Sequence, residues 1–264
     1  MSNDLPDYSV HGHGETTVFL LHGAFGAKEY WRSQTQALTQ AGYRVVAWDA
    51  PGYGISALPP ILNVETAAER CVALIEAVGS GKNVVLGHSM GGMIAQRAFD
   101  YAPSRIHGLI LSATSAAFGG KGGEWQKAFV RDRVAPLDAG QTIPEYAPKM
   151  LRKMMSPSAE GETVDLVIST VSMMREETFR AAIQAVSEFE GRSIIPKMNE
   201  YNLPVQCIAG ELDLSAAPPP VMEKLALKIN NAEYACIMGA GHFAWAEVPH
   251  EFNALVLEFL KRRI

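Results

Sequence analysis

A chain of 264 residues, 48% hydrophobic and 19% charged, is long enough to bury a large core without disulfides and too apolar to stay disordered. Its formal net charge of −5 speaks against a nucleic-acid partner, because neutralising phosphates needs a basic face and cations cluster only in the terminal Lys261-Arg262-Arg263. Cys71, Cys207 and Cys236 stand far apart in apolar segments, so reduced core residues are expected rather than a disulfide framework.

In chain order, residues 1–7 are polar and acidic, without the charged-then-apolar pattern of a leader. No apolar run approaches the roughly 20 residues that cross a bilayer, so a soluble, cytoplasmic chain with no membrane partner is expected. His11-Gly12-His13-Gly14 reads as a solvated turn, since two histidines without a further ligand cluster do not fill a metal's coordination shell. Residues 17–21 form a continuous apolar run, the mark of a strand buried on both faces of a parallel sheet. The run ends in His22-Gly23-Ala24-Phe25-Gly26. A moderately amphipathic helix is expected over 29–40, with Trp31 and Leu38 apolar and Ala41-Gly42 as its stop. Residues 43–49 make a second such strand, ending in Ala50-Pro51-Gly52-Tyr53-Gly54. After a further helix come a strand over 83–86, a helix over 90–101 and a strand over 108–112. Strands alternating with helices predict a parallel, doubly wound α/β sheet.

Between about Gly119 and Asn202 the alternation breaks into helical patterns separated by Pro144, Pro148, Pro157, Gly161 and Gly191. This predicts a core made of residues 1–118 and 203–264, with a helical cap inserted over 119–202. Met150, Met154, Met155, Met173, Met174 and Met198 fall in the insertion, where adaptable side chains suit core packing for most and a pocket wall for some. The alternation resumes with a strand over 203–209 ending in Gly210-Glu211-Leu212-Asp213, and a helix over 221–227 follows. A strand over 234–238 then ends in Gly239-Ala240-Gly241-His242. A final amphipathic helix carries Phe252, Leu255, Val256, Phe259 and Leu260 on one side.

The chemistry begins at Gly87-His88-Ser89-Met90-Gly91. A Gly-x-Ser-x-Gly run between a strand and a helix fits a tight turn that exposes the serine and leaves the helix's first N–H groups free. A serine nucleophile needs a base, an acid to orient that base, and donors for the oxyanion. The carboxyl ends of parallel strands share one edge of the sheet, so Ser89, Asp213 and His242 are expected to converge there. Glu211 is the alternate acid. Asp49 also follows a strand and is expected to hydrogen-bond the Pro51-Gly52 turn.

Taken together, His22–Gly26, Asp49–Gly54, Gly87–Gly91, Gly210–Asp213 and Gly241-His242 resemble the α/β-hydrolase superfamily over nearly the whole chain. The resemblance implies Ser89 as nucleophile, His242 as base and later acid, Asp213 as orienting carboxylate, and the backbone N–H groups of Ala24 and Met90 as oxyanion donors. It leaves His22 and His88 with supporting contacts. Leu214-Ser215-Ala216-Ala217 precedes Pro218-Pro219-Pro220 where relatives often carry Thr-Pro, which puts the shape of that loop in question. Gly87–Gln96 and Trp245–Pro249 look most like 3-oxoadipate enol-lactonases and related small carboxylesterases.

The implied reaction is hydrolysis of a small ester or lactone through an acyl-enzyme, with no metal or organic cofactor, by a monomer or homodimer. Phe25, His88, Trp125, Phe129, Met154 and Phe243 are the expected pocket residues. Arg131, Arg133, Arg152 and Lys153 could read a carboxylate, although a solvated face is the commoner use of such residues. A carbon–carbon bond hydrolase or cofactor-free perhydrolase could use the same groups, and a non-catalytic ligand receptor could use the same pocket.

Overall fold

A computed structural model describes residues 5–118, 123–214 and 217–264. The expected start of the insertion at Gly119 and the Ser215-Ala216 step lie outside the described residues. The strands are β1 (Tyr8–His11), β2 (Thr16–Leu21), β3 (Arg44–Trp48), β4 (Lys82–His88), β5 (Gly108–Ser112), β6 (Val205–Gly210) and β7 (Ala232–Ile237). They form a seven-stranded sheet in the order β1-β3-β2-β4-β5-β6-β7. Every neighbouring pair is parallel except β1 with β3.

The helices are α1 (Arg32–Gln40), α2 (Val64–Val78), α3 (Met90–Tyr101), α4 (Glu124–Asp138), α5 (Ile143–Arg152), α6 (Glu162–Ser172), α7 (Glu176–Glu188), α8 (Ile195–Glu200), α9 (Pro219–Ala226), α10 (Ala244–Glu247) and α11 (Pro249–Arg263), of which α1, α3, α9 and α11 pack with the sheet, and α2 with α3. The central strands read as unbroken apolar runs because both faces are covered: Val18–Leu21, Val84–Leu86 and Leu109–Leu111 are fully buried. Each such side chain contributes about 1.5–3 kcal/mol on burial. The expected helix over 29–40 opens with a tighter 3-10 turn at Lys28–Trp31 before α1 begins. At the start of α2 Asn63 Oδ1 accepts from Thr66 N–H at 2.7 Å and Thr66 Oγ1 accepts from Asn63 N–H at 3.1 Å, a reciprocal cap.

His11 corrects the sequence reading. It closes β1, paired with Val45, rather than standing in a turn. β1 is antiparallel, short and only half-buried, so it lacks the apolar run that revealed the other strands.

Helices α4 to α8 lie between β5 and β6, and the chain just before α4 is joined to the chain just after α7. Phe118 N–H donates to Phe189 O at 3.1 Å, and Gly191 N–H to Ala116 O at 2.7 Å. The segment is also tied to the sheet's loops. Thr178 Oγ1 donates to Gly52 O at 2.7 Å, and Arg175 reaches both Gly52 O and Ser56 O. Met154, Met155 and Met198 are buried here, whereas Met173 is 79% exposed. Among the described residues no helix is long and apolar enough to cross a membrane.

Candidate active site

β4 runs directly into α3 through Ser89, and the turn has no room for side chains at its glycines. A Cβ on Gly87 would lie 2.3 Å from Gly91 O, and one on Gly91 would lie 2.2 Å from Leu21 O. Ser89 takes φ 53° and ψ −118°, a left-handed conformation that costs a non-glycine residue about 1–3 kcal/mol. Neighbouring groups hold it there: Ser89 N–H donates to Ser112 O at 2.8 Å, and Thr114 Oγ1 donates to Ser89 O at 2.7 Å. The serine is thereby presented, half-buried, at the carboxyl edge of the sheet.

Asp213 follows β6 and His242 follows β7. Their side chains meet at 2.7 Å between Oδ2 and Nδ1, with exposures of 0% and 2%. A carboxylate only accepts, so Nδ1 carries the proton and Nε2 is the ring's free base. The alternate acid, Glu211, turns instead to the surface, where its Oε2 accepts from Gly239 N–H at 2.8 Å.

The loop after β2 is held from several sides. His22 Nδ1 donates to Gly23 O at 2.8 Å, while its Nε2 accepts from Ala50 N–H at 2.9 Å. Tyr30 Oη accepts from Gly23 N–H at 2.7 Å, and Tyr53 Oη donates to Ala24 O at 2.9 Å. Neither Ala24 N–H nor Met90 N–H donates to another described residue. Burial lowers the pKa of His22 despite the nearby Asp49, which agrees with a neutral ring that donates at one nitrogen and accepts at the other. Asp49 does not bond the Pro51-Gly52 turn through its side chain. Its carboxylate accepts from Lys28 Nζ at 2.6 Å and Lys28 N–H at 2.8 Å. Burial opposes the Lys28 charge, but Asp49 and Asp7 outweigh it and hold its pKa above the usual lysine value.

A small cavity opens at Ser89, lined by Gly23, Ala24, Phe25, Gly26, Tyr30, His88, Ser89, His242 and Phe243. Phe25, His88 and Phe243 therefore sit where a pocket was expected. Trp125, Phe129 and Met154 are not among its lining residues. Trp125 is 57% exposed and packs on Phe118, and Met154 meets His242 through its carbonyl. Phe129 lies beneath the Arg133 guanidinium, 3.6 Å from the ring centre. Arg131 and Arg152 make exposed ion pairs with Asp132 and Asp165, and Lys153 is exposed. A larger depression of about 600 Å³, near Pro6, Leu58 and Arg70, holds none of this chemistry.

His88 is fully buried, its ring 4.8 Å from that of His242 and 5.3 Å from that of Phe243. Burial, then the neighbouring His242, push its pKa well below the usual value. Behind the site, Trp245 stacks on Tyr30 at 4.2 Å and on Trp31 at 4.8 Å, which joins the turn after His242 to the segment after β2. Each aromatic pair adds about 0.5–1.5 kcal/mol beyond its area. Sequence reasoning missed Tyr30, Tyr53 and Thr114, whose main-chain partners lie 7, 29 and 25 residues away and leave no local pattern.

Comparison with known proteins agrees with this architecture. A 2-hydroxy-6-oxononadienedioate/2-hydroxy-6-oxononatrienedioate hydrolase of Dechloromonas aromatica is 31% identical, the match covering 96% of this chain and 89% of that one. An esterase of Thermogutta terrifontis superposes with a TM-score of 0.84 at 23% identity, covering 97% and 93% of the two chains. The enol-lactonase of Burkholderia xenovorans LB400 does so with a TM-score of 0.82 at 22% identity, covering 97% and 96%. The profile described as the alpha/beta hydrolase family matches residues 18–255, and with the sheet order and helical layers above it shows that the chain belongs to the α/β hydrolase family.

Proposed function

We propose that this chain is a serine hydrolase that cleaves a small, largely hydrophobic carboxylic ester or lactone through an acyl-enzyme. The observation that carries the reading is the buried Asp213–His242 pair at 2.7 Å, whose histidine lines one cavity with a serine held at positive φ. His242 Nε2 takes the Ser89 proton as Oγ attacks the acyl carbon, and the tetrahedral oxyanion lies against Ala24 and Met90 N–H. The imidazolium then gives its proton to the leaving alkoxide. Water repeats the cycle on the acyl-enzyme, releasing the acid and freeing Ser89. Asp213 keeps the ring in the tautomer that this sequence requires and balances its transient charge.

The inserted helices, residues 119–202, are read as a cap. The apolar walls Phe25 and Phe243, and Phe179 packed 5.4 Å from Phe25, favour a hydrophobic acyl or alcohol group. The test is a serine-directed phosphonate followed by mass analysis. Addition at Ser89, lost in Ser89→Ala together with ester turnover, is expected; full turnover by Ser89→Ala would overturn the assignment.

A second reading, hydrolysis of a carbon–carbon bond in a vinylogous diketone by the same groups, is favoured by the 31% identical relative. Parallel assays with short p-nitrophenyl esters and vinylogous diketones separate the two. Diketone cleavage without ester turnover would replace the ester reading.

A further inference from the structure

We propose that Glu247 is a positioning residue for the base, holding the main chain on both sides of His242 and tying that turn to residues 154–156 of the inserted segment. The proposal rests on the serine-hydrolase reading above. Glu247 Oε2 accepts from Gly241 N–H at 2.9 Å and from Ser156 N–H at 2.8 Å, and its Oε1 accepts from Phe243 N–H at 3.0 Å. His242's own N–H goes to Met154 O at 2.8 Å. The three successive amides around the base are thus all engaged, two by one carboxylate and one by the inserted segment. Hydrogen bonds to an ionised acceptor are roughly twice as strong as neutral ones, so this is a firm joint.

The two segments also touch along their backbones. A Cβ on Gly241 would lie 2.7 Å from both Met154 O and Ser156 N, so neither strip of chain can slide without moving the other. Thr163 Oγ1 adds a bond to Ala246 O at 2.6 Å, which fastens α6 to the same turn.

Asp213 fixes the rotation of the imidazole, whereas the position of its Cα is set by these amides. The cavity at Ser89 is walled by His242 and Phe243, so a shift of the inserted helices reaches it through the turn that carries the base. The Glu247 carboxylate is where that shift meets the base. Seating of the insertion over bound substrate and delivery of Nε2 to Ser89 become one event, which places the effect of Glu247 on turnover rather than on affinity.

Glu247→Gln tests this. The amide keeps the shape but offers one acceptor oxygen, and its NH₂ must face an N–H that it cannot satisfy. With p-nitrophenyl butyrate we expect kcat to fall by about tenfold to a hundredfold while KM stays within about twofold, since small displacements of a reacting group act on the chemical step. Phosphonylation of Ser89 should slow in step, and amide exchange should accelerate in peptides covering 154–157 and 240–244. Glu247→Asp keeps the charge with a shorter reach, is expected to fall between wild type and Glu247→Gln, and serves as the second variant if the first does not fold.

A purely structural role would lower Tm yet leave kcat and phosphonylation within about threefold below the transition, and that result overturns the proposal. Unchanged exchange in both peptides overturns it as well. Failure of the serine-hydrolase reading is recognised separately, because the wild-type protein would then take up no phosphonate at Ser89, and the exchange measurement still decides whether the joint exists.

Discussion

Replacing Gly91 by alanine is a severe test of the proposed oxyanion cradle. The new methyl would stand 2.2 Å from Leu21 O and 2.7 Å from His22 O, where ordinary contact begins near 3.4 Å. Both obstacles are main chain at the end of β2, so no rotamer change relieves them. Leu21 is paired with Gly87 in the central ladder, which leaves α3 as the partner that yields, by about 1 Å. Met90 N–H opens α3 and Ala24 N–H follows β2, so this displacement widens the gap between the two donors.

Moving a reacting group by about 1 Å costs on the order of a hundredfold. That agrees with the roughly 2.7–4 kcal/mol attached to one lost oxyanion donor. Overpacking adds about 1–3 kcal/mol of instability, and alanine's better helix propensity returns about 0.5–1 kcal/mol. A Tm lower by up to roughly 10 °C follows. Initial rates of p-nitrophenyl butyrate hydrolysis, taken well below the melting midpoint and compared with a thermal melt, measure both effects. Gly81→Ala is the control, because nothing lies within 4 Å of its added Cβ. A Gly91→Ala protein that melts with the wild type and keeps kcat/KM within about threefold would refute the reasoning.

Two further outcomes follow from buried groups. His22 and His88 have pKa values lowered by burial, so below about pH 6.5 the unfolded chain binds protons that the folded chain does not. Their contribution is complete above that pH and erodes on acidification by up to about 1.4 kcal/mol per pH unit each. Urea midpoints from pH 7.5 to pH 5 should therefore fall less steeply for His88→Gln than for wild type, and parallel slopes would contradict the burial argument. Among the thiols, burial pushes Cys71 and Cys207 up to about 12, while Cys236 is raised but half-buried. In the native protein a disulfide reagent should titrate Cys236 slowly and leave the other two until denaturant is added; equal native rates for all three would mean the core is misassigned.

Much of the architecture is legible in the sequence because burial on both faces writes itself as continuous apolar runs, and because glycines mark the places where backbones nearly collide. Residues 17–21, 83–86 and 108–112 announce β2, β4 and β5 for that reason. β1 escapes because Tyr8-Ser9-Val10-His11 lies at an edge, half in water, where no such run is needed. The candidate nucleophile, base and acid are each flagged by a glycine at a strand end. The groups that hold them are not. Tyr30 on Gly23, Thr114 on Ser89 and Glu247 on Gly241 and Phe243 are contacts between a side chain and a main-chain amide or carbonyl, and such contacts constrain no neighbouring residue type. Trp125 and Phe129, expected as pocket residues for their aromatic character, pack on Phe118 and beneath Arg133, away from the cavity at Ser89.

The order of the strands carries a consequence for how the chain comes to life. β4 and β5, which hold Ser89 in its strained turn, precede the inserted helices, whereas β6 and β7, which bring Asp213 and His242, follow them. A chain made as far as α8 therefore holds the strands on either side of Ser89 but neither of the residues proposed as its base and acid. On the proposed roles the nucleophile comes from the part of the sheet that precedes the inserted helices and its base and acid from the part that follows them, so the site is complete only once β6 has docked against β5 and β7 against β6.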